Sequence, residues 1–270
     1  MYIIIINITV IFFLAAVFLY PFAFWETGLM TEFWRNIWPA GLVMFLALCG
    51  MNVFFLLNRR LLSLLKREDW PALAAYLEQK IYREGKYSSR NIRLLAHACL
   101  VMGDFDGVLR LETGAAAVKP ALVEDNALVF GVARILGGTA SSAADFFMLR
   151  LQQEKAGDRE WLNWYYGFSL TAAKSFDRAE AVFGESCSAK DPLAAGLSAF
   201  FLSEILGKHS LNGAECRVRA AEGVRRVQKA LKNAGRWKKE AEKLAGEIHG
   251  AVIKQYLDEA GVWLFKERNE

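Results

Sequence analysis

The stretch Trp38-Pro39-Ala40-Gly41-Leu42-Val43-Met44-Phe45-Leu46-Ala47-Leu48-Cys49-Gly50-Met51-Asn52-Val53-Phe54-Phe55-Leu56-Leu57 decides how the chain is read. From Asn36 to Asn58 no side chain is charged. A helix of about 20 apolar residues crosses the hydrocarbon core of a bilayer, so the segment predicts a transmembrane helix over residues 37–57. With no Pro or Gly break it continues into Arg59, Arg60, Leu61, Leu62, Leu64, Leu65, Lys66 and Arg67. Glu68-Asp69-Trp70-Pro71 then reads as a turn opening a new helix. A membrane helix is therefore expected to run on as the first helix of a helical domain.

Towards the N-terminus, Tyr2 to Phe24 also lacks charge and is rich in Ile, Phe, Leu and Val. A signal peptide needs a basic leading region and a small-x-small cleavage site. No Lys or Arg precedes this run, and it ends in Leu19-Tyr20-Pro21-Phe22-Ala23-Phe24-Trp25. A retained first span over residues 2–24 is expected, which makes residues 1–57 a two-helix membrane anchor. Small residues at Ala40, Gly41, Ala47 and Gly50 would let the two spans pack closely. The connection between the spans is short and aromatic, and rings such as Trp25, Trp34 and Trp38 prefer the headgroup level. Its only charges are Glu26, Glu32 and Arg35, whereas the far flank carries Arg59, Arg60, Lys66 and Arg67. The positive-inside rule places that flank, and everything after it, in the cytoplasm. Arg59 and Arg60 would also meet anionic headgroups.

Hydrophobic residues make up 54% of the chain, and much of the excess lies in the anchor, leaving an ordinary globular composition beyond it. A net charge of +4 is no nucleic-acid signature. Cys49, Cys99, Cys187 and Cys216 are scattered without a C-x-x-C pair, which argues against a disulfide framework.

From residue 58 the periodicity is helical and punctuated by short Gly or Asp turns. One unit runs Asn91-Ile92-Arg93-Leu94-Leu95-Ala96-His97-Ala98-Cys99-Leu100-Val101-Met102-Gly103-Asp104-Phe105-Asp106-Gly107-Val108 and closes near Pro120. The next has Phe130-Gly131, Gly138-Thr139-Ala140, Ala143 and Phe147. A third has Tyr166-Gly167, Lys174-Ser175-Phe176, Ala179, Phe183 and Pro192. An opening unit turns at Glu68-Asp69-Trp70, and a fourth begins at Leu193 and turns at Gly207-Lys208. These units resemble the tetratricopeptide repeat, a helical hairpin of about 34 residues that recurs in register. The resemblance implies an all-α chain in which residues 58–208 form an α-solenoid of stacked hairpins. Residues 209–270, basic and then apolar, would form helices that cap it.

No catalytic signature accompanies the repeats. His97, His209 and His249 are far apart, with no H-E-x-x-H, no G-x-S-x-G, no P-loop and no dinucleotide fingerprint. A non-enzymatic protein without cofactor or metal is expected. The repeat resemblance implies instead a protein or peptide partner on the face lined by the first helix of each hairpin. In this register that face holds Arg90, Arg93 and His97, then Asp125, Leu128 and Val132, then Trp161, Trp164 and Phe168, then Leu197 and Phe201. A basic end followed by an aromatic floor suits an acidic, partly apolar peptide. The competing reading makes the aromatics core and leaves the arginines solvated.

Arg225, Lys229, Lys232, Arg236, Lys239 and Lys243 would form a basic stripe on one unbroken helix, but Asn233-Ala234-Gly235 reads as a helix stop. A phosphate-binding stripe, and with it a nucleic-acid partner, is the weaker reading. The layout predicts a bacterial inner-membrane, multi-pass scaffold or adaptor with its repeats in the cytoplasm. The alternative is a structural subunit of a larger membrane complex whose groove takes no ligand. Both readings follow from layout.

Overall fold

The computed structural model describes residues 12, 15, 27–153, 158–208 and 213–266, with side chains at Phe12, at Ala15 and, from Trp38 onward, everywhere but Gly41. Among the described residues every regular element is helical and none is a strand. The chain divides between Glu68 and Asp69 into two units.

The first unit contains helix α1 (Thr27–Arg67), 41 residues long with Pro39 inside it. The expected aromatic connection is thus helical from Thr27 onward, a correction to the loop reading. Over Trp38–Arg67 the helix is long and apolar enough to cross a membrane, by length and composition, and its apolar window is wholly unburied. Leu56 and Leu57 are 71% and 76% exposed. The first expected span lies outside the described residues except for Phe12 and Ala15, both helical. Lys66 and Arg67 occupy the last turn, where cations complement the helix dipole. Glu68, at φ 53, stops the helix.

The second unit is a run of short helices. Helix α2 (Trp70–Glu78) continues as a π turn over Gln79–Arg83, followed by α3 (Ser89–Met102), α4 (Phe105–Val118), the single turn α5 (Ala121–Glu124), α6 (Ala127–Gly137) and α7 (Ala140–Leu151). Then come α8 (Arg159–Ala172), α9 (Phe176–Ser186) and α10 (Pro192–Phe200), which widens into a π turn over Phe201–Ile205 and then tightens into a 3-10 turn over Leu206–Lys208. Helices α11 (Gly213–Leu231), α12 (Ala234–Ala245), α13 (Ile248–Val252) and α14 (Lys254–Phe265) complete it.

The turns are set by short polar side chains. Asp69 accepts from the Ala72 amide at 3.2 Å, Ser88 from Asn91 at 3.2 Å, Asp104 from Gly107 at 2.9 Å and Thr139 from Ser142 at 3.2 Å. Each such cap contributes about 1 kcal/mol. Gly103 ends α3 at φ 74, a left-handed conformation in which glycine carries no Cβ penalty. Lys232 (φ 66) ends α11, and Asn233 caps α12 through the Arg236 amide, so the basic stripe is broken where the sequence placed a stop.

Helices pack in sequential pairs, α3 with α4, α6 with α7, α8 with α9 and α10 with α11, and each pair rests on the next. One constant offset carries Gly131 to Gly167, Ala143 to Ala179 and Phe147 to Phe183. In both pairs the second helix drives its phenylalanine ring against the glycine of the first: a Cβ on Gly167 would lie 2.9 Å from Phe183, and Gly131 faces Phe147 still more closely. Glu112, on α4, is buried and meets Arg134 of α6, with Arg150 of α7 at 3.8 Å. The two guanidiniums flank the Phe146 ring at 4.3 and 5.0 Å.

After α11 the chain folds back. Helix α14 packs on α10 and α12, and α13 packs on α6. Trp237 of α12, 2% exposed, is held where Gly196 and Gly261 leave room for its ring, and its Nε1–H donates to the Leu257 carbonyl at 2.9 Å.

Candidate functional site

The first helices of the hairpins, α3, α6, α8 and α10, carry the residues expected to line a binding face. Their C-terminal half is covered by the chain itself. Trp164 is fully buried, Phe201 is 2% exposed and Trp161 7%. Trp164 stacks on the half-buried Phe168 at 5.5 Å and meets Phe201 edge-on at 5.4 Å. Tyr256 of α14 closes over both, 5.7 Å from Phe168 and 5.1 Å from Phe201. His249 lies 5.5 Å from Trp161, and its carbonyl accepts from Tyr165 Oη at 2.7 Å. Trp161 Nε1–H donates to Asp191 at 2.9 Å. Leu197 is buried as well. The expected aromatic floor is therefore interior packing under α13 and α14. The physical reason is that the apolar positions of the C-terminal helices needed a face to bury, and this one was available.

The N-terminal half of the same face stays open. A cavity of about 630 Å³ lies among α3, the α5–α6 corner and the Gly246–His249 segment. Of the predicted positions it gathers Arg93, His97, Asp125 and Leu128, whereas Arg90, though exposed, does not line it and Val132 is buried. Arg93 reaches the Asp125 carbonyl at 3.5 Å. His97 leans on the Trp70 ring at 5.2 Å, and half-burial holds its imidazole below its ordinary value.

The charges on the walls are Arg93 against Glu124, Asp125, Asp158 and Glu247, a marked acidic excess. The expected basic end of the groove is thus an acidic one. Glu247 and His249 come from a segment remote in sequence, and nothing in their local pattern marks them. Asn126 and His249, 3% and 7% exposed, also line the cavity. Asn126 Nδ2 donates to the Leu122 carbonyl at 2.7 Å and to Ser89 Oγ at 3.2 Å, while its Oδ1 accepts nothing among the described residues. His249 Nε2 lies 3.3 Å from Glu247 Oε2. A carboxylate only accepts, so Nε2 carries the proton and Nδ1 is left as an acceptor without a donor among the described residues. Burial outweighs the neighbouring carboxylates and lowers the His249 pKa.

A second groove of about 280 Å³ adjoins the first through His97, Gly246, Glu247 and Ile248. Its walls are apolar: Leu100, Val101, Leu136, Ala251 and Val252, with Val101 and Leu136 50% and 44% exposed.

Chemistry is sparse elsewhere. Among the described residues no group of three His, Cys, Asp or Glu side chains is placed to hold a metal ion. Burial pushes the Cys99 thiol up to about 11 and Cys187 to about 12. Neither is a thiolate nucleophile at neutral pH. Of the expected membrane-interface residues, Trp38, Arg59 and Arg60 are exposed on α1, Trp34 falls in α1 with its side chain undescribed, and Trp25 lies outside the described residues.

Residues 107–266, from α4 to the end of α14, match a family described as uncharacterised Treponema protein. An uncharacterized protein of Treponema pallidum (strain Nichols) is 29% identical over 243 residues, covering 86% of this chain and 77% of its own.

Proposed function

The chain belongs to this Treponema family, and on that premise we propose that it is a membrane-anchored, tetratricopeptide-like scaffold that holds a protein partner at the cytoplasmic membrane face. The observation that carries the reading is the union, in one chain, of an exposed apolar helix over Trp38–Arg67 with a unit of stacked helical hairpins. Exposed leucines in such number are costly in water and stable in lipid. The basic residues at the end of that helix favour a cytoplasmic flank. Glycine–aromatic contacts repeated at one offset support the tetratricopeptide-like register of the hairpins. Anchoring would raise the local concentration of whatever the second unit binds. No step of this reading needs a catalytic group or a cofactor.

A second reading, a structural subunit of a larger inner-membrane complex with the repeat face unused, is favoured by one observation: α13 and α14 already cover the aromatic half of that face. Under it, the first membrane helix, α1 and exposed residues such as Val262 would carry the contacts. Cross-linking in native membranes followed by co-purification separates the two. The scaffold predicts a partner cross-linked to residues photoreactively labelled at Leu136 or Asp125. The subunit reading predicts cross-links from α1 and from Val262 alone. No cross-linked protein at any of these positions would contradict both.

A further inference from the structure

Where the aromatic half of the repeat face is closed, the open half has a chemistry of its own. Its two adjoining grooves share four wall residues and run from an apolar end, at Val101, Leu136 and Val252, to an acidic end, at Asp125 and Glu247. At the acidic end one guanidinium, Arg93, faces four carboxylates. An acidic or phosphorylated segment would meet repulsion here. An ammonium or guanidinium would meet attraction strengthened by the concave shape.

We infer that the composite groove formed by α3, α6 and the Gly246–Val252 segment binds a basic–apolar peptide segment, with an Arg or Lys side chain at the Asp125–Glu247 end and a large aliphatic side chain between Val101 and Leu136. The inference rests on the scaffold reading for its biological partner, but the site itself is a property of the second unit. It has two consequences. The site needs the C-terminal segment, because Glu247, Ile248 and His249 form one wall. It also selects the charge opposite to the one expected from Arg90 and Arg93 alone.

The test uses the full chain in a non-ionic detergent and a short fluorescent peptide of leucine and arginine, with a leucine–glutamate peptide as its counterpart. Anisotropy titration is expected to show saturable binding of the arginine peptide only. The double variant Asp125→Asn/Glu247→Gln is expected to weaken it by about tenfold or more, corresponding to about 1.4 kcal/mol. Leu136→Ser should weaken it independently. Asp125 and Glu247 are exposed, so their neutral analogues leave the core intact, and unchanged melting verifies this. Equal affinity for both peptides, no binding, or binding indifferent to all three substitutions would overturn the inference. The scaffold reading is decided separately by the cross-linking above: a partner recovered there with no peptide binding here removes the groove chemistry and leaves the scaffold standing.

Discussion

At the scale of single residues, the fold depends on contacts too close to tolerate one added methyl group. Gly167 faces the Phe183 ring, and a Cβ there would sit 2.9 Å from it. Overfilling a packed core costs about 1–3 kcal/mol. Gly167→Ala is therefore expected to lower the unfolding free energy by that amount, seen as a lower urea midpoint at an unchanged m-value. A neutral result would mean that the ring is free to move. Trp164 illustrates the opposite operation. It is fully buried, so Trp164→Ala should cost about 3–5 kcal/mol, read in the same denaturation series. Loss of a partner in that variant would report unfolding, which makes Trp164 a poor probe of binding. His249 gives a pH signature. Burial lowers its folded pKa against the pull of Glu247, Asp158 and Asp191, and half-burial lowers that of His97. The unfolded chain then binds protons more readily. The contribution is fully present above the ordinary value of 6.5 and is lost as pH falls towards the lowered folded value. Stability should decline as pH falls below about 6.5, and His249→Asn should flatten that decline. A decline identical in the variant would remove His249 as its source.

At the scale of elements, what was legible in the sequence was local, and what was not came from long range. Asp104, Thr139 and Asn233 cap the helices that their Gly-Asp, Gly-Thr and Asn-Ala-Gly contexts announce. The glycine–phenylalanine offset gives the hairpin pairing directly. The extent of α1 was not legible, because residues 27–37 read as an aromatic connection and nothing local showed that the helix already runs through them. The destination of the C-terminal helices was not legible either. Their apolar positions show that they bury a face, but the sequence does not say against which helices. That one uncertainty decided the site. Trp161 and Trp164 lie on α8 and Phe201 in the turn that continues α10, and they are core because Tyr256 and His249 cover them. Arg93 and His97 do line an opening, yet Glu247, from the returning segment, tips its charge to acidic. The burial of the same elements governs thiol chemistry: Cys187 and Cys216 are 5% and 0% exposed. Neither should react with a maleimide in the folded protein, and both should react after denaturation. Rapid labelling of the native state would contradict this packing.

At the scale of the molecule, the second unit stacks its helical hairpins in chain order, each resting on the next, and the chain then folds back over them. Here α12 to α14 cover a face as well as an end, so this part of the chain is integral to the fold. The family match, which runs through α14, takes in the same helices. The first unit is the reverse case, an apolar helix whose apolar window is left uncovered among the described residues. Since Cys187 and Cys216 are buried, the orientation of the second unit relative to a bilayer is best read from an introduced thiol at an exposed site such as Val218, 62% exposed. Val218→Cys should be labelled by a membrane-impermeant maleimide only when the cytoplasmic face is accessible. Labelling from the outer face alone would reverse the topology.

The measurement that tests the central claim most directly is alkaline extraction of native membranes, with the chain followed by immunoblot in the pellet and the supernatant. A scaffold anchored through Trp38–Arg67 remains in the pellet through the wash and is released only by detergent. Recovery in the alkaline supernatant would show that the apolar helix is not in the bilayer, and the anchored-scaffold account would fall with it.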